Sequence, residues 1–200
     1  MVTRIPQLAT DRTCHGRGTA DWPGCNICGL PSLAGESFTV KASSDPLRTQ
    51  LERLLEWEEA HVGFDKAIDG VPADKRGSHV AGFEHTPWQT LEHMRIAQKD
   101  LLDYCVNARY VHTLKWPEDY WPQSSAPPDE TAWSESIADF KADRERLTQL
   151  ARDSHLDLFA AVPTGKGEQT YLRAILLVVD HNAYHLGQLV AVRRALGIWK

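Results

Sequence analysis

From Leu47 onward, apolar residues return every three or four positions in four separate stretches, and no stretch keeps the two-residue alternation of a half-buried strand. Such a pattern packs helix against helix. The first stretch opens at Ser44-Asp45-Pro46, a capping residue ahead of a proline suited to the first helical turn, and is expected to run as one helix to Gly70. Its spacing sets Leu47, Leu51, Leu54, Leu55, Val62 and Ile68 on the inner face, with His61 in register with Leu47, Leu54 and Ile68. The second opens at Thr86-Pro87 and continues through Leu91, Met94, Ala97, Leu101, Leu102 and Cys105 to the neighbourhood of Asn107. The third carries Trp133, Ile137, Phe140, Leu147 and Leu150 and ends near His155. The fourth, from Thr170 to Leu196, is apolar on most faces around Ile175 to Val179 and should be the most buried. The expected fold is all-α, a four-helix bundle with a long connection between the second and third helices.

That connection contains Trp116-Pro117, Trp121-Pro122 and Ala126-Pro127-Pro128, where prolines forbid a long helix. Its aromatic residues Tyr110, Trp116, Tyr120 and Trp121 either wall a pocket or pack over one end of the bundle, the second being the plainer reading. Residues 1–43 keep neither period and read as an irregular extension, leaving 44–200 as a single domain. Within the extension, Cys14, Cys25 and Cys28 lack the strand or helix context of a redox motif or zinc knuckle and read as incidental, while Cys105 reads as core packing.

The 22 basic and 27 acidic residues leave a net charge of −5 with no basic run, which argues against nucleic acid as a partner. No apolar run approaches the roughly 20 residues of a membrane span, and the N-terminus has no secretory pattern, so the expected location is the cytoplasm.

The residues that point to chemistry are His181 and His185, four apart on the fourth helix and so projecting from one face. Such a pair can grip one divalent ion, and a third ligand from elsewhere would make an open, reactive site. His93 is the candidate for that third ligand, beside Ile96 and Ala97 on the flank of the second helix's apolar stripe. The carboxylates available to orient these imidazoles are Asp180, Glu92, Glu58 and Asp65. His61 is either a core histidine or a group lining the metal cavity, and His85, just ahead of a helix cap, shapes that helix's entrance.

The segments HTPWQT, LEHMRIAQKDLLDY and DHNAYHLGQLVAVRRALG, spanning residues 85–104 and 180–197, resemble the DinB/YfiT-like family of metal-binding four-helix bundles. The resemblance extends from about Asp45 to Trp199 and implies His93, His181 and His185 as ligands of a divalent ion. Because it begins just after Val40, a start at that residue would leave residues 1–39 outside the protein.

Imidazole ligands suit zinc and nickel alike. The resemblance implies two classes of function. One is an enzyme acting on a small molecule, either a thiol-dependent S-transferase with a low-molecular-weight thiol as cosubstrate or a hydrolase using metal-activated water. The other is a non-catalytic metal-binding or stress-response protein whose metal is structural. A homodimer is compatible with either.

Overall fold

The computed structural model describes residues 45–56 and 60–200. Its long helices are α1 (Pro46–Glu56), α3 (Pro87–Val106), α4 (Ala132–Arg152) and α5 (Tyr171–Ala195), with a short α2 (Phe64–Ile68). No strand occurs among the described residues; Ala161 and Thr170 form one isolated antiparallel bridge. α3 packs on α4 and α5, and α1 packs on the same two helices from the other side, which closes the four-helix ring. The long connection between α3 and α4, residues 107–131, is present as expected.

Local chemistry sets the helix ends. Thr86 caps α3 in a reciprocal box, its Oγ1 accepting from Gln89 N at 3.2 Å while Gln89 Oε1 accepts from Thr86 N at 3.1 Å, and Pro87 follows in the first turn. Thr170 caps α5 by accepting from Arg173 N at 3.2 Å. α5 stops at Gly197, whose φ of +72° lets the chain turn back so that Ile198 N donates to Arg193 O and Gly197 N to Arg194 O, both at 3.0 Å.

The first helix departs from expectation. A single helix to Gly70 is replaced by α1 and α2, joined through non-helical residues 60–63, with Gly63 extended at the cap of α2. The break redirects the chain so that Phe64, Ala67 and Ile68 bury against the bundle, Phe64 stacking on Phe140 at 4.1 Å, while Leu54 and Val62 are left exposed. Hydrophobic periodicity carried across the break because both segments bury a face, but they do not bury it along one axis.

The core has two apolar clusters. One gathers Phe64, Trp88, Leu91, Met94, Phe140 and Leu186, and the other Leu51, Leu55, Leu102, Leu147, Ile175 and Val178. Between them in chain position lie the buried amides of Gln98 and Asn182. Gln98 Nε2 donates to the Phe140 carbonyl at 2.7 Å, and Asn182 Nδ2 donates to Gln98 Oε1 at 3.0 Å. This seam satisfies its own polar groups and joins α3, α4 and α5. Cys105 is buried in the core, its thiol pushed up to about 12 by burial, so it packs rather than reacts. Residues 1–44 lie outside the described residues, and with them the 43/44 boundary and Cys14, Cys25 and Cys28.

Candidate metal centre

α3 carries His93 inward, two turns beyond its cap, and α5 carries His181 and His185 one turn apart on the face that meets α3. The three rings meet. His93 Nε2 lies 3.1 Å from His185 Nε2 and 3.0 Å from His181 Nε2. Among the described residues this is the one group of three or more His, Cys, Asp or Glu side chains whose ligand atoms lie within 4.8 Å of one another.

The outward nitrogens explain why the inward ones are bare. His93 Nδ1 donates to the Tyr120 carbonyl at 2.9 Å, a group that only accepts, so the His93 proton sits on Nδ1. His185 Nδ1 donates to Gln188 Oε1 at 2.8 Å, and His181 Nδ1 faces Asn182 Oδ1 at 3.3 Å. The Asn182 orientation follows from the seam: the Phe140 carbonyl takes the Gln98 amide N–H, which turns Gln98 Oε1 toward Asn182 Nδ2 and leaves Asn182 Oδ1 for His181. With Nδ1 protonated on each ring, three Nε2 lone pairs converge with no proton between them. A cation at their meeting point relieves that repulsion, and three neutral imidazoles are a donor set suited to a divalent ion.

Electrostatics keep the rings neutral. Burial, opposed by the Tyr120 hydrogen bond and reinforced by the neighbouring imidazoles, lowers His93 from 6.5 to about 4. Burial and the adjacent His181 lower His185 to about 4, and burial also lowers His181. The ligand-competent form is therefore the resting form at neutral pH.

The expected carboxylate supports do not reach the cluster. Asp180 is exposed, and only its charge is felt at His181. Glu92 is turned to Arg95, at 2.7 and 2.9 Å, and to the Ser136 hydroxyl. Asp65 pairs with Lys141 at 2.5 Å, and Glu58 lies outside the described residues. His61 neither lines the cavity nor fills the core: it is exposed in the bend between α1 and α2, its Nδ1 at 2.9 Å from the Val62 carbonyl. Its register assumed the continuous helix that the break removes. The imidazoles are oriented by neutral oxygens, so a bound ion keeps its full positive charge.

Sequence reasoning missed these oxygens and their support. Gln188 stands three residues beyond His185 on the same helix face, a spacing that could have marked it. Tyr120 comes from the long connection, where no period exists to align it. Its hydroxyl donates to Asp100 Oδ2 at 2.6 Å while Tyr110 donates to Asp100 Oδ1 at 2.7 Å, so one carboxylate on α3 ties down the strap that delivers the Tyr120 carbonyl to His93. The next residue, Trp121, stacks on His93 at 3.7 Å with its plane within 2°, and His85 stacks on Trp121 at 3.5 Å.

A cavity of about 550 Å³ opens beside this assembly, with His185 the one cluster member on its wall. Gly82–His85, Trp121 and Pro117, Tyr184 and Gln188 supply most of the rest. Of the connection's aromatics, Trp121 walls the cavity, as one of the two readings expected; Trp116 is exposed, and Tyr110 and Tyr120 tie the connection to α3 through Asp100. His85 has a larger place than helix entry, since it stacks on Trp121 and lines the cavity.

An all-α bundle with three histidines from two facing helices gathered at one point defines a class of metal-site bundle. The chain belongs to the DinB superfamily, whose family model matches residues 56–189 and so spans all three histidines and the connection. No curated protein matches the chain.

Proposed function

We propose that His93, His181 and His185 hold one divalent ion, zinc or nickel, and that the chain is a cytoplasmic metal-dependent enzyme acting on a small molecule. The observation that carries this reading is the convergence of three Nε2 atoms beside a cavity large enough for a small substrate. Bound there, the ion would supply the positive charge that lets a thiol or a water molecule lose its proton near neutral pH. The residues do the rest. Tyr120, Asn182 and Gln188 hold the imidazoles in one tautomer, and Trp121 excludes water from one face of His93. His85, a neutral imidazole on the same cavity wall as His185, would accept the released proton.

Thiol-dependent S-transfer is the favoured reaction class, with hydrolysis as its close variant. A structural metal would call for a fourth protein ligand, and the cluster among the described residues has three. The test is a turnover screen of the metal-loaded protein with low-molecular-weight thiols and a chromogenic electrophile. Turnover that is lost in His181→Ala, and lost in His85→Gln with the metal content unchanged, supports the assignment. Full metal loading without turnover across the panel assigns the chain to the metal-binding proteins instead.

A further inference from the structure

The cavity beside His185 has an unusual charge inventory for a site built around a cation. Among the described residues no lysine or arginine lines it, and the one formally charged wall residue is Glu84, whose side chain is 89% exposed. The hydrogen-bonding groups are neutral and few. Thr90 Oγ1 donates to the Thr86 carbonyl at 3.0 Å, and Gln188 Oε1 is taken by His185, which leaves the Gln188 amide N–H, the Tyr184 hydroxyl and the His85 ring to meet a ligand. Both faces of the Trp121 indole are covered, by His93 and by His85, so it presents an edge. The flat surfaces that remain are Phe83, His85 and Tyr184, the last 64% exposed.

Resting on the metal reading above, we propose that this cavity selects a ligand that brings a single anionic donor atom to the histidine centre on an otherwise uncharged or cationic, flat body, with Glu84 excluding a second negative charge. An aromatic or planar body gains contact with the rings of Phe83, His85 and Tyr184. A cationic one also gains from the tyrosine face and the Glu84 carboxylate. A phosphate or second carboxylate finds no side-chain cation to replace its hydration and meets Glu84 on the way in.

The experiment uses cobalt(II)-loaded protein and two probes with the same ring and donor, phenylmethanethiol and 4-(mercaptomethyl)benzoate, titrated by the cobalt–thiolate absorption band. The expected result is binding of phenylmethanethiol at least about tenfold tighter in the wild-type protein. In Glu84→Lys, an exposed change that leaves the fold intact, the ratio should shrink to about threefold or invert. Equal or tighter binding of the benzoate in the wild type, or an unchanged ratio in Glu84→Lys, overturns the selectivity while leaving the metal centre standing. Failure of the protein to take up cobalt overturns the metal reading and this inference with it.

Discussion

Acid should weaken the metal-free fold through a window that belongs to the histidine cluster. His93 and His185 sit at about 4 in the folded protein, and His181 is lowered as well. In the unfolded chain each returns to about 6.5. Between those values the unfolded chain binds more protons than the folded one, so stability is complete above about 6.5, falls as pH falls through the window, and levels off below about 4. The drop corresponds to on the order of 3 kcal/mol for either of the two most buried imidazoles, a large share of a typical domain's 5–15 kcal/mol. Urea unfolding of metal-free protein, followed by circular dichroism at steps from pH 7.5 to 4, reads it directly. The same series on a variant with His93, His181 and His185 changed to Gln subtracts the carboxylates that titrate at the acid end. A difference between the two that is flat across the window would refute the reasoning, because the buried rings would then be titrating as they do in water. Metal affinity, by contrast, should be level from pH 8 to about 6, since no proton has to leave the ligands there.

Two substitutions test the supports of the centre. Tyr120→Phe removes the hydroxyl held by Asp100 but keeps the carbonyl that orients His93, so metal affinity by competition with a chelator should fall about tenfold while the helical signal is retained. Gln98→Leu leaves the Asn182 amide unpaired in the interior and should cost about 1–3 kcal/mol by urea unfolding, with a weaker hold on metal because Asn182 Oδ1 is no longer fixed toward His181.

What the sequence made legible follows physical regularity. The i, i+4 pair His181/His185 and the inward flank of His93 are fixed by helical geometry, and the structure brings these three rings together. The capping of α3 by Thr86 and Pro87 is equally local, as is the capping of α5 by Thr170. The break between α1 and α2 was hidden because apolar spacing persists on both sides of Gly63, which misplaced His61. The orienting oxygens were hidden for a different reason. Tyr120 reaches His93 from a non-periodic connection 27 residues away, and the Gln98–Asn182 bond spans 84 residues, so neither leaves a local signature. Carboxylates were expected at the imidazoles because charge is the readiest signal in a sequence. A backbone carbonyl and two amides occupy those places instead.

Elemental analysis of the purified protein, equilibrated with excess zinc or nickel and then dialysed, tests the proposed centre most directly when it is run beside His93→Ala, His181→Ala and His185→Ala. The expected result is one ion per wild-type chain and a sharp loss in each variant, with the helical circular dichroism of all four proteins alike, because the apolar clusters rather than the ion hold the bundle. A wild-type chain that retains no ion, or variants that retain as much as the wild type, would contradict it.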